Sequence, residues 1–137
     1  MLHTVSRMIR FTIIALIACP VFVSAQNLQT IKLPDPRKTG GMPLFEALAN
    51  RKSTREFSDR ALSPETLSTL LWAAYGINRA DGRRTAPSSV NWQTIDMYVA
   101  LPEGLFLYDA KTHSLKPKLE GDIRALTGTQ PYVGTAA

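Results

Sequence analysis

Arg51, Ser53 and Arg55 stand at alternate positions in the run RKSTREF. On an extended backbone all three point to one side, with Lys52 and Thr54 opposite. Two guanidiniums flanking a hydroxyl can hold an anionic, planar group, because the arginine fork matches phosphate or carbonyl–imide edges bidentately. The plainer reading is a solvated basic loop at a helix end, where cations complement the dipole. A second polar cluster, APSSVNWQ, occupies residues 86–93. Pro87 holds the chain and removes one donor, and Ser88 can cap a short turn. Asn91 and Gln93 each carry a donor and an acceptor, the pair needed to read a ring edge with both C=O and N–H groups. The plainer reading here is a capped turn leading into a strand.

The elements around these clusters follow from caps and periodicity. Ser63 as N-cap, Pro64 at the first helical position and Glu65 at the positive end of the dipole predict a helix in LSPETLSTLLWAAYGIN. Leu67, Leu70, Leu71, Ala74 and Tyr75 form its apolar stripe, and Gly76 is placed to stop it. A shorter helix is expected from Leu44 to about Asn50, with Leu44, Ala47 and Leu48 on one face. Residues 26–43 hold three prolines and two glycines and read as an extended arm. NRADGRR is a polar loop with an Asp-Gly turn signal.

Three strand candidates follow the second cluster. TIDMYVAL alternates Ile95, Met97, Val99 and Leu101 against Asp96 and Tyr98. A turn at Pro102 to Gly104 leads into LFLYDA, and a turn at Ala110 to His113 leads into SLKPKLE. GDIRALTG reads as one more short helix, with Asp122 near its start. The expected class is α+β, helices packed on a small, mainly antiparallel sheet. In this scheme His113 is an exposed turn residue, and Asp109 and Glu120 are surface strand ends.

The first 25 of the 137 residues read as a signal peptide. Arg7 and Arg10 form a positive n-region, residues 11–23 are apolar but short for a membrane span, and Val23-Ser24-Ala25 is a small-residue cleavage site. An N-terminal anchor, or a lipoprotein box ending at Cys19, is the alternative. Cleavage before Gln26 removes two basic residues, so 16 basic residues become 14 against 11 acidic, and the formal charge falls from +5 to +3. That charge gives no support to nucleic-acid binding. The single cysteine goes with the leader and His113 is left as the only histidine, which argues against a histidine-rich metal site. Export to the periplasm is the expectation. The remaining residues 44–137 form one expected domain, and the ending TQPYVGTAA has the look of a chain truncated at its C-terminus.

Taken together, the two clusters resemble the motifs of the nitroreductase family of FMN-dependent oxidoreductases. Members of that family carry an Arg-Arg-Ser-x-Arg-x-Phe-like motif and, after a helix, Pro-Ser-x-x-Asn-x-Gln; here the motifs stand as RKSTREF at 51–57 and PSSVNWQ at 87–93. The likeness extends through LSTLLWAAYGINR and GLFLYDAKTHSLKP, similar to the branch of peptide-azoline dehydrogenases, and spans roughly residues 42–135.

The resemblance implies an incomplete nitroreductase-like fold and FMN as cofactor, with NAD(P)H as candidate electron donor. It also implies a small-molecule substrate, such as a nitro or quinone acceptor, and a homodimer. Arg51, Ser53 and Arg55 match positions that contact the FMN phosphate, ribityl chain or pyrimidine edge, and Lys52 lies in the same segment. Pro87, Ser88 and Ser89 match a segment lining the flavin, Asn91 matches a flavin-contacting asparagine, and Gln93 is a weaker match. The flavin carries the chemistry, so no catalytic side chain is required. Two features depart from the pattern. Thr94-Ile95 follows Gln93 where the family commonly has Pro-Trp, and the later strands with their second set of phosphate contacts are missing. An azoline-type dehydrogenase or a non-catalytic flavin-fold protein is the alternative.

Overall fold

The computed structural model describes residues 27–58 and 60–133. The leader features read from the sequence, Arg7, Arg10, the apolar run 11–23 and Cys19, lie outside the described residues. The described chain forms strand β1 (Ile31–Lys32), helix α1 (Leu44–Asn50), helix α2 (Pro64–Tyr75) and strands β2 (Tyr98–Leu101), β3 (Gly104–Asp109) and β4 (Ser114–Glu120). Short 3-10 turns sit at Ser89–Asn91 and Arg124–Leu126. The four strands make one antiparallel sheet in the order β1-β4-β3-β2. The arm thus contributes an edge strand, and Leu33 just beyond it is buried.

Helix α2 starts as its caps dictate: the Ser63 side chain accepts from the Thr66 N–H at 3.2 Å, with Pro64 inside the first turn. Its buried face is Ser68, Leu71 and Tyr75. The expected stripe is therefore rotated. Leu70 is 55 % exposed and Ala74 is exposed, while Ser68 has no exposed surface at all. A serine can occupy that place because its hydroxyl donates to the Pro34 carbonyl at 2.6 Å, which ties the arm to the helix.

Gly76 ends the helix as expected, but not through left-handed backbone; its φ is −73°. A Cβ there would lie 2.3 Å from Trp72 Cδ1 and 2.6 Å from the Trp72 carbonyl oxygen. The indole also donates to the Ile77 carbonyl, so it cannot swing away without loss. Gly76→Ala is expected to cost about 1–3 kcal/mol in a urea unfolding curve, as overpacking does.

The core is small: Leu33, Leu71, Phe106, Tyr108 and Leu115, with Leu67, Met97, Val99 and Leu101 packed around them. Along β3, Gly104, Phe106 and Tyr108 are buried while Leu105, Leu107 and Asp109 are half-buried, the alternation of a sheet with one covered face. Pro117 lies at the irregularity opposite Leu105 and Phe106, beyond the two β4 residues that β1 pairs. A proline is tolerated there because no ladder donor is needed. Strand β2 is shorter than the alternation in TIDMYVAL predicts: residues 94–97 are not in strand and Ile95 is exposed. The GDIRALTG helix is reduced to its 3-10 turn, where Asp122 bonds the Arg124 backbone and guanidinium.

His113 departs most from expectation. It is half-buried and joins three elements: Nδ1 lies 2.9 Å from the Tyr108 hydroxyl, and Nε2 lies 2.7 Å from Ser68 Oγ and 3.1 Å from the Pro34 oxygen. Ser68 already spends its proton on Pro34, so the consistent assignment has Nε2–H donating toward Ser68 and Tyr108 O–H donating to Nδ1.

Asp109 ends β3 under an ion pair with Lys116 and accepts from the Lys111 N–H at 2.9 Å. The Lys116 bond foremost, with the Lys111 N–H, outweighs burial and holds its pKa down to about 2 from 3.8. With the folded pKa depressed, the unfolded chain takes up the proton first as pH falls. The contribution is full above about pH 4 and is lost toward pH 2. Asp109→Asn should flatten this acid limb in urea unfolding followed across that range. The effect is about 1 kcal/mol or less, because Lys116 is half-exposed and the pair is screened.

Candidate functional site

The second polar cluster folds into a tight loop held by its own side chains. Ser88 Oγ accepts from the Gln93 N–H at 2.7 Å, and the backbone of Ser89–Asn91 closes as a 3-10 turn. The Gln93 amide bonds Asn91 Oδ1 at 2.9 Å and the Gly82 carbonyl at 3.2 Å, while its oxygen accepts from Arg84 Nε at 3.0 Å. Gln93 therefore positions the loop against the preceding turn, and its amide is already engaged. Val90, Asn91 and Gln93 have φ of 41°, 59° and 50°. Asparagine tolerates this left-handed region, but a β-branched valine does not, at a cost of about 1–3 kcal/mol. Strain of this kind persists only where surrounding bonds over-determine the backbone, as Ser88, Arg84 and Gln93 do here.

Facing this loop is the hairpin turn that joins Ile77 to Arg84, closed by an isolated bridge between those two residues. Asp81 caps the turn by accepting from the Arg83 N–H at 3.1 Å and pairs with its guanidinium at 2.9 Å. Gly82, with φ of 82°, supplies the reversal. Arg84 is half-buried, stacks over the Tyr75 ring at 4.8 Å and donates to the Tyr75 carbonyl at 3.3 Å. Between turn and loop lies a cleft of about 440 Å³, lined by Arg79, Arg83, Arg84, Pro87, Ser88 and Asn91, with Ala86 and Val90 completing its wall.

Arg84 and Gln93 also face a second cleft of about 360 Å³, together with Tyr75, Asp96 and Tyr108. Burial pushes the Tyr108 hydroxyl pKa up, partly offset by the Arg84 charge. The Tyr75 hydroxyl is buried with no hydrogen-bond partner among the described residues.

The sequence-chosen residues thus divide between places. Pro87, Ser88 and Asn91 share the first cleft, and Gln93 braces it from behind. Ser89 is exposed and contributes only backbone. Trp92 is 74 % exposed. Arg51, Lys52, Ser53 and Arg55 follow α1 in a segment without helix or strand, all exposed. Their side chains form no hydrogen bond or ion pair among the described residues, and they do not line either cleft. Arg79, Arg83 and Arg84 were legible only as a polar loop. Three arginines within six residues, with one acid between them, were the available signal. Among the described residues, no group of three or more histidine, cysteine or acidic side chains could hold a metal, and no helix is long and apolar enough to cross a membrane.

Two helices and an antiparallel sheet with this loop between them define an α+β domain, and its relatives are specific. The model of the nitroreductase family matches residues 48–130, and the chain belongs to that family. The crystal structure of a protein from Ralstonia eutropha JMP134 that carries the name nitroreductase is 51% identical, with a TM-score of 0.70. The match covers 75% of this chain and 50% of that one. A protein of the same name from Methanocaldococcus jannaschii is 30% identical over 99 residues, 68% of this chain and 48% of its own length. The chain spans about half the length of these relatives.

The residues present suit the flavin that the motifs imply. The exposed, unengaged donors of Arg51, Ser53 and Arg55 match a phosphate or imide edge in kind. Ser88 and Asn91 offer polar contacts in the first cleft, beside Ala86 and Val90.

Proposed function

We propose that this protein is an FMN-dependent oxidoreductase that passes hydride through its flavin to a small nitro, quinone or related acceptor, and works as a homodimer. The observation that carries this reading is the strained, side-chain-braced loop at residues 87–93, which lines a cleft of small-molecule size in a chain of the nitroreductase family. Arg51, Ser53 and Arg55 would hold the phosphate, ribityl chain or pyrimidine edge, with Lys52 adding charge to the segment. Pro87, Ser88, Ser89 and Asn91 would line the ring, and Gln93 keeps them in place.

Bound FMN would supply the hydride-transfer chemistry, and its reduced form would carry negative charge on the pyrimidine edge that the arginines would face. A guanidinium fixed near that edge stabilises the charge and raises the potential. Arg51 or Arg55 is assigned this task. NAD(P)H is the proposed electron donor, and export through the leader at residues 1–25 is part of the reading.

A second reading, a flavin-fold protein without turnover, draws on the absence of Arg51, Ser53 and Arg55 from the lining of both clefts. Adding FMN and NAD(P)H to the full chain, with menadione or a nitroaromatic as acceptor, separates the two. Nicotinamide oxidation that depends on both FMN and acceptor supports the enzyme. Bound flavin that is neither reduced by NAD(P)H nor, once reduced by dithionite, reoxidised by either acceptor supports the second reading. Turnover confined to azoline peptides would move the activity to the dehydrogenase branch.

A further inference from the structure

We propose that the cleft bounded by Arg79, Arg83 and Arg84 is a receptor for the oxyanion of a small molecule, a carboxylate or phosphate monoester, and that this oxyanion belongs to the substrate. All three arginines line one cleft of about 440 Å³, a volume typical of small-molecule sites, and Arg84 also borders the second cleft. Among the described residues, only Arg83 of the three has a carboxylate partner, Asp81. Arg79 and Arg84 bond only neutral acceptors: Asn78 Oδ1 at 3.2 Å and the Arg84 carbonyl at 3.3 Å for Arg79, Gln93 and the Tyr75 carbonyl for Arg84. The cleft therefore keeps an excess of about two positive charges with no acid in its lining.

Arg84 is the more telling of the pair. A half-buried guanidinium without a counter-ion is a poor way to stabilise a turn, since a neutral donor would make the same two bonds without a charge to desolvate. Those bonds and the stacking on Tyr75 occupy Nε and one Nη1 proton and leave Nη2 without a partner among the described residues. A guanidinium held from behind with part of its fork free is pre-organised for a bidentate oxyanion, so little side-chain entropy remains to be lost on binding. Arg79 is tethered across the same turn and supplies the second charge. Because residues 87–91 form the opposite wall, a molecule held here lies against the loop assigned above to the flavin. The assignment of the oxyanion to substrate rests on that reading, whereas the existence of the site does not.

The test is a titration of the full chain at low ionic strength with butyrate, its neutral isostere butyramide, and inorganic phosphate, followed by calorimetry. FMN and riboflavin binding are measured in parallel by fluorescence. Saturable binding of butyrate or phosphate, absent for butyramide and weakened about tenfold or more by Arg79→Gln and by Arg84→Gln, is the expected result. Lys118→Gln, which removes an exposed charge on β4, should leave it unchanged. A preference for butyrate identifies a carboxylate-bearing substrate, and a preference for phosphate a phosphate-bearing one. If Arg84→Gln fails to fold, the exposed Arg79→Gln still decides. Failure of both oxyanions to saturate, or binding indifferent to Arg79→Gln, overturns the site. Loss of FMN but not riboflavin binding in Arg79→Gln, without butyrate binding, would give the guanidiniums to the cofactor's own phosphate and overturn the substrate assignment. Oxyanion binding by a chain that takes up neither flavin would instead remove the flavin reading and leave the site.

Discussion

Replacing Arg51 and Arg55 together with alanine is expected to lower affinity for FMN about 100-fold or more while leaving the unfolding midpoint almost unchanged. Both side chains are exposed and bond to nothing among the described residues, so their removal from the fold should shift stability by no more than about 0.5 kcal/mol. Each charge-assisted bond to a phosphate or imide oxygen contributes about 1.5–3 kcal/mol, so losing two amounts to a factor between about 10² and 10⁴. Flavin fluorescence quenching gives the dissociation constant, and thermal melts of the apo chain give the control. Replacing either arginine by lysine should restore only part of the affinity, because lysine keeps the charge but not the planar fork. A dissociation constant unmoved by the double substitution would show that RKSTREF is the solvated basic loop of its plainer reading.

His113→Ala should destabilise the apo chain by about 2–4 kcal/mol, a large fraction of what a domain with so small a core can hold. Alanine leaves the buried Tyr108 hydroxyl without its acceptor and removes one of the two partners of Ser68. It also places a non-glycine residue of low left-handed tolerance at φ of 47°. His113→Asn separates these causes, since asparagine accepts that backbone but cannot span from Tyr108 to Ser68. Urea unfolding should rank wild type, His113→Asn and His113→Ala in descending stability. Equal stability of wild type and His113→Ala would mean that the arm and α2 dock without this junction.

His113 and its partner Ser68 mark the limit of what the sequence reveals. The start of α2 was readable because Ser63, Pro64 and Glu65 act within one turn. Strands β3 and β4 were readable because their alternation is local. Ser68 and His113 were not, because their bonds join residues 34, 45 and 79 positions apart, and no periodicity encodes such a contact. The early end of β2 escaped for a related reason. An alternating pattern does not show which of its residues find a partner strand, and the β3 pairing begins only at Tyr98.

At the site, residue type picked out Ser88 and Asn91, which do share a cleft. Arg84 looked like loop charge until its placement between Tyr75 and Gln93 gave it direction. Helix α1 forms where its spacing predicts, yet its apolar face stays uncovered among the described residues, with Leu44 69 % and Leu48 57 % exposed. Spacing specifies a face but not what it meets.

The proposed function stands or falls on whether this chain binds FMN. Its most direct test is the absorbance spectrum of the full chain, purified without added flavin and then incubated with FMN and desalted, together with the supernatant released by heat. The expected result is a flavin spectrum at close to one FMN per chain, lost in the Arg51→Ala, Arg55→Ala pair and weakened by Asn91→Ala. A folded, colourless protein that stays apo after incubation would contradict it.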